Sequence, residues 1–245
     1  MNLIGDYWHS EQYKNKYYHL NKTELCEKKG YRLIHIFEHE WINKQDIIKT
    51  KLLSIFNKDQ NKIYARKCTI KEITSKEKNE FLNRTHIQGE DKSNVKLGLF
   101  YENELVAVMT FCKSRFNKNF EWELSRYSSS KHVIGGAGKL LKYFERIYKP
   151  KNLITYADRR YSQGKLYFTL GFTFDHFSLP NYFYCNKNLK IYSRIQCQKH
   201  KLKDILKNFD KNLSEFENMY LNNYFRIYDC RKLCFYKGIL ILYEI

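Results

Sequence analysis

The chain has 245 residues, 43% of them hydrophobic and 17% aromatic, which is enough apolar side chain to bury a core and excludes a disordered or fibrous polypeptide. Its formal charge of +18 at pH 7 points to a polyanionic partner, double-stranded DNA first, ahead of a merely solvated surface or an anionic membrane. No apolar run approaches the ~18 residues of a membrane-spanning helix.

Part of the lysine excess accompanies abundant Asn, Ile and Tyr and scarce Pro (2) and Gly (10), a coding bias that makes arginines more informative than lysines. The seven cysteines form no C-x-x-C pair. Their odd number, without a secretory leader, implies reduced thiols, small buried side chains and a cytoplasmic location.

In chain order, Ser10–Lys28 is polar with Tyr13, Tyr17 and Leu20 at helical spacing, closed by Gly30. "YRLIHIF" reads as a buried strand; His35 within it reads as a core residue, while His39 and Glu40 follow it where strand ends gather functional groups. "NKQDIIKTKLLSIF" is an amphipathic helix capped by Asn43, with Ile48, Leu52, Ile55 and Phe56 on one face. The polar residues Asn57–Asn61 form the expected linker, dividing the chain at 1–60 and 61–245.

"IYARKCTIKEI" then reads as a strand, and Thr74 with Glu77 is a capping box opening a helix toward Asn83. "KLGLFYENELVAVMTF" is a hairpin around a tight polar turn, and "FEWELSR" alternates Phe120, Trp122 and Leu124 against Glu121, Glu123 and Ser125. "KHVIGGAGKLLKYFERIY" is a glycine-rich turn entering a helix, "NLITYAD" a strand, and "QGKLYFTLGF" a short helix ending at Gly171. The remainder holds a basic helix "SRIQCQKHKLKDILKNF", a second capping box at Ser214 and Glu217, and strands in "YFRIYDCRKLCFY" before the apolar tail "GILILYEI".

Strand, glycine turn and helix make an anion site: without a Cβ, backbone N–H groups approach a phosphate, and the helix N-terminus adds partial positive charge. The order of elements from "IYARKCTIKEI" to "LYFTLGF" resembles the GNAT acyltransferase fold over roughly residues 63–245. That resemblance implies a mixed sheet flanked by helices, with the family's phosphate turn on His132, Gly135, Gly136, Ala137 and Gly138; His132 stands where the family carries Gln or Arg. It also implies an acyl-CoA cofactor. "TYADRRYSQGKLYF" resembles phage Mom-type DNA-modification proteins, which implies that Asp158 orients a base amine or takes its proton; the alternative is that Asp158 pairs with Arg159 or Arg160. Arg126, Arg159, Arg160 and Lys165, if gathered near the turn, suit a phosphate backbone, as do Lys199 and Lys201 on the basic helix.

The opening stretch "GDYWHSEQYKNKYYHLNKTELCEKKGYRLIHIFEHEW" is similar to the C-terminal part of the very-short-patch-repair-like (Vsr-like) nuclease domain of phage homing-type endonucleases. The resemblance covers about forty residues. It implies that His9 polarises water or phosphate, that Tyr7 and Trp8 wedge into DNA, and that Glu11, His19 and Lys22 fall on recurrent polar positions. The family's carboxylate strand would precede Met1, so the chain is expected to begin inside such a domain, and Mg²⁺ then falls to Asp6 and Glu11. The sequence therefore leads to an α+β chain, a partial Vsr-like segment at 1–60 before a GNAT-like domain at 61–245. The expected function is DNA binding with homing-type phosphodiester cleavage, with catalytic residues His9, Asp6, Glu11, His19 and Asp158. Acyl-CoA-dependent modification of a nucleobase and an inactive DNA-binding remnant are the alternatives.

Overall fold

The computed structural model describes residues 1–56, 62–114 and 117–238; the expected linker and the tail beyond Gly238 lie outside the described residues. The chain forms two compact units: Met1–Asn43 with Asp158–Tyr161 and Phe177–Lys232, and Lys44–Ala157 with Ser162–His176 and Leu233–Ile245. This differs from the expected division at residue 60. Ile4 and Phe37 are fully or almost fully buried together with Cys185 and Ile227, so the opening segment completes its core with residues far along the chain. Forty residues alone have too little interior to do so.

The larger unit is built on a seven-stranded sheet in the order Thr173–Phe177, Lys232–Gly238, Asn152–Asp158, Trp122–Ser129, Glu104–Lys113, Val95–Tyr101, Thr69–Glu72. The sheet is mixed: Trp122–Ser129 and Asn152–Asp158 run parallel, whereas the pairs from Trp122–Ser129 through Thr69–Glu72 are antiparallel. The expected hairpin is present, and Glu102 (φ 48) and Asn103 (φ 65) make the left-handed two-residue turn that matches strand twist.

Helix Gly136–Tyr148 buries Leu140, Leu141 and Phe144 on one face of this sheet; the Phe144 ring stacks on Phe111 at 3.6 Å between centroids. Helix Ser75–Thr85 covers the other face through Phe81 and Leu82, which meet Ile73 and Val108. Its Thr74–Glu77 capping box is formed in both directions, as is that of Ser214 and Glu217. The unit is thus a mixed sheet flanked by helices.

The smaller unit holds a three-stranded antiparallel sheet in the order Ile191–Ser193, Tyr182–Cys185, Phe225–Tyr228, and a parallel pair Asn2–Ile4 with His35–Phe37. Three local expectations need correction. "YRLIHIF" is a strand only over His35–Phe37, and Tyr31 is exposed. Asn43 does not cap the next helix: it ends a separate helix, Glu38–Asn43, by donating to the His39 carbonyl, and Lys44 precedes Gln45–Ile55 without a side-chain cap. The basic segment forms no long helix. It starts on the last residue of the strand Ile191–Ser193 and contains a short 3-10 turn, Lys199–Asp204. Gln196 accepts from the Ser193 amide and Lys201 donates to the Ile195 carbonyl, local bonds that compete with a regular helix.

Candidate functional site

In the larger unit the site is a gap in the sheet. The parallel strands pair only at Trp122 with Leu153, Glu123 with Ile154 and Leu124 with Thr155, although the first continues to Ser129 and the second to Asp158. Beyond Leu124 and Thr155 they part. A bulge marks the same place, since Thr110 pairs with Arg126 and Phe111 with Leu124, leaving Ser125 extra. The gap lies at the carboxyl ends of both strands, where open α/β sheets collect ligands.

The glycine turn stands at that end. Gly135 caps helix Gly136–Tyr148 at φ +77, and a Cβ on Gly136 would come within 2.9 Å of Val133 Cγ1, so this backbone demands glycine. The first-turn amides of Gly136, Ala137 and Gly138 have no intrahelical acceptor. That of Ala137 donates to the Tyr127 hydroxyl, whose pKa burial pushes up to about 12. His132 lies exposed on the short strand His132–Ile134, paired in parallel with Lys62–Tyr64.

Around the parting point, the Thr155 hydroxyl donates to the Leu124 carbonyl (3.0 Å) and meets the Tyr167 phenol. Burial raises the pKa of Tyr167, so it holds its proton at neutral pH. Arg126 is lowered by burial, opposed by the charges of Asp91 and Glu123. Its Nη1 donates to the Ser125 carbonyl (2.8 Å), but its Nε is buried without an acceptor among the described residues. An unpaired N–H on a charged group costs more than the ~1–3 kcal/mol of a neutral one. Sequence reasoning missed Tyr127 and Thr155, whose roles depend on partners distant in sequence.

The smaller unit holds the residues expected of a nuclease, and each is already engaged. Asp6 is fully buried and accepts from the Glu38 amide (3.1 Å), the His39 amide (3.1 Å) and His39 Nδ1. It therefore caps helix Glu38–Asn43 from a remote segment. Glu11 accepts from the Arg226 amide (2.9 Å), and burial raises its pKa against that bond. Neither carboxylate is free for Mg²⁺, and among the described residues no group of three or more His, Cys, Asp or Glu is placed to hold a metal.

His9 and His19 do come together, stacked with Nδ1 and Nε2 3.1 Å apart. His19 Nδ1 faces the Tyr228 carbonyl at 2.7 Å, which fixes the proton there and makes Nε2 the acceptor for His9. Burial lowers the pKa of His19 to about 4 and that of His35, held by Thr23, to about 3. Trp8 is 60% exposed; the Tyr7 ring meets those of Trp8 and Tyr13 edge-on, and the Trp8 and Tyr13 rings lie tilted against each other.

Asp158 pairs with Arg160, the second of its expected roles. Burial alone would raise its carboxyl, but the charge and hydrogen bonds of Arg160 hold it below the usual range. Arg160 also grips Glu40 with two bonds of 2.8 and 3.0 Å, and Arg159 binds Glu27. The two arginines are therefore spent on carboxylates rather than gathered for phosphates. Lys165 and Lys199 are exposed, and Lys201 is turned onto Ile195 and Gln198.

No protein-family model and no curated protein matches the chain. Among solved structures, a Bacillus subtilis acetyltransferase in complex with CoA is similar at 13% identity, over 71% of this chain and 99% of its own, with a TM-score of 0.39. A GNAT family acetyltransferase from Elizabethkingia anophelis with acetyl-CoA bound gives 14%, 71%, 99% and 0.38. An N-acetyltransferase from Staphylococcus aureus gives 12%, 70%, 97% and 0.38. At such identities and TM-scores the likeness carries no argument about what this chain does. The expectation of a Mg²⁺-dependent homing endonuclease is corrected by the site itself, where Asp6 and Glu11, the two carboxylates expected to hold the metal, already have other partners.

Proposed function

We propose that the larger unit is an acyltransferase that draws on a phosphorylated carrier of the acyl-CoA type and delivers the acyl group to an amine. One observation carries this reading: two parallel strands part after Leu124 and Thr155, with a glycine-rich helix N-terminus at the open end. Bound there, such a carrier supplies a thioester carbon open to attack by an amine.

The residues present fit the group. Gly136 and Gly138 offer first-turn amides to phosphate oxygens, and the main chain past Leu124, having left its parallel partner, suits the amide groups of an extended arm. Tyr167, protonated and hydrogen-bonded beside the parting point, is placed to deliver a proton to a departing thiolate. Titration calorimetry with acetyl-CoA tests the reading. Binding is expected with the native chain and at least ~10-fold weaker binding with Gly138→Glu, whose Cβ meets nothing closer than Leu170 Cδ2 at 3.7 Å and whose carboxylate meets the phosphates. No heat with the native chain, or unchanged affinity in the variant, overturns it.

Double-stranded DNA remains a second proposed partner, on the +18 charge and the exposed Tyr7–Trp8–Tyr13 ring cluster. Binding that does not weaken steeply with salt would remove it.

A further inference from the structure

Arg126 stands two residues past Leu124, the last residue of its strand paired with Asn152–Asp158. It lies within electrostatic range of Asp91, Glu123 and Tyr167. Yet its charge is not consumed. Asp91 acts on Arg126 only through its charge, and accepts its hydrogen bonds from Lys78 Nζ (3.0 Å) and the Thr110 hydroxyl (2.7 Å). The Ser125 carbonyl takes only Nη1, so the guanidinium keeps its side-on edge, Nε with Nη2, where Nε is buried and has no acceptor among the described residues. That edge presents two parallel N–H donors with the spacing of a planar carboxylate. Exposed lysines would suit a large polyphosphate; a single recessed fork suits a small planar anion.

Resting on the acyltransferase reading above, we propose that Arg126 binds the carboxylate of the acyl acceptor, so that the acceptors are small amines that also carry a carboxylate. The fork then orients the amine toward the parting point, where Thr155 and Tyr167 meet. The amine nitrogen bonds to the acyl carbon, the carbon–sulfur bond breaks, the thiolate leaves with its electron pair, and one proton passes from nitrogen to sulfur, so the balance is closed by carrier and acceptor alone.

The test compares glycine with glycinamide and β-alanine with β-alaninamide on the full chain, following thiol release from acetyl-CoA. The expected kcat/KM favours each carboxylate over its amide by about 30-fold, the range of a charged hydrogen bond. Arg126→Gln collapses that ratio to near unity by raising KM for the carboxylates while the amides keep their rate. Arg126→Lys retains part of it, and serves where the glutamine variant fails to fold. A merely structural arginine would lower both members of each pair alike. A second arm measures melting temperature with the same four compounds at fixed ionic strength, without acetyl-CoA. A rise with the carboxylates only, lost in the variants, supports the Arg126 site even if acetyl-CoA does not bind, in which case the donor reading falls and this one stands. Equal turnover or equal melting shifts for acid and amide, or a preference that survives Arg126→Gln, overturns it while leaving acetyl-CoA binding as a separate result.

Discussion

Replacing Arg160 by Met keeps an apolar stem in place but strips the charge from a buried triad. Arg160 is 7% exposed, Glu40 9%, and the guanidinium bridges Glu40 and Asp158 through contacts of 2.7–3.1 Å. Removing one partner of such a group leaves uncompensated carboxylates, an effect of about 3–5 kcal/mol. For a chain of this size each kcal/mol moves the melting temperature by roughly 2–4 °C, so a fall of about 6–20 °C is expected. Scanning calorimetry suits the measurement, because a chain of two units can unfold in more than one step. The loss should fall on the transition that contains Glu40.

The sign of the pH dependence follows. In the native chain Asp158 has a depressed pKa, so its contribution is present above the unfolded value near ~3.9 and is lost as pH falls through the folded value. In Arg160→Met burial raises the Asp158 carboxyl unopposed by Arg160, so the deficit is smallest in acid and grows as pH rises through its new value. Combining Arg160→Met with Glu40→Leu and Asp158→Asn should recover most of the loss. A single variant that loses less than ~1 kcal/mol, or a triple variant whose losses simply add, refutes the reasoning.

Two further expectations concern stability. His19 and His35 are neutral in the fold with pKa about 4 and about 3, so their contribution is present above the unfolded value near ~6.5 and is lost as pH falls; together they should remove about 4 kcal/mol by pH 5. Urea midpoints at neutral and acid pH measure this, and an unchanged midpoint counts against burial as the cause. Gly164 has φ +81 and a Cβ there would lie 2.4 Å from Phe235 Cζ, a fully buried ring, so Gly164→Ala should destabilise by about 2–4 kcal/mol. Gly30→Ala is the control: φ is +76 with nothing within 4 Å, and only the backbone strain of about 1 kcal/mol remains. Equal losses in the two thermal melts would mean that the Phe235 contact contributes nothing.

Local chemistry was legible wherever a short stretch carries its own instruction. Thr74 with Glu77 and Ser214 with Glu217 cap their helices because the two partners of each box are three residues apart. Glu102–Asn103 turns the hairpin, and "HVIGGAGKLL" places a helix N-terminus behind a short strand, because turn chemistry and apolar period need no distant partner. The basic segment misled for the complementary reason: its apolar residues read as a helical face, but side-chain bonds to nearby backbone won.

What the folded chain alone decided was the use of each charge. Asp6 and Glu11 read as metal ligands while they stood near a histidine in sequence; folding gives one to the amides of Glu38 and His39 and the other to Arg226. Arg126, Arg159 and Arg160 read alike as phosphate binders. Folding gives two of them carboxylate partners, Glu27 for one and Asp158 with Glu40 for the other, and leaves Arg126 with an unpaired N–H beside a parted sheet. Periodicity and capping act over one turn of helix or strand and are written in the sequence. The pairing of buried charges acts through space between segments 120 residues apart, as between Glu40 and Arg160, and exists only once the chain has folded.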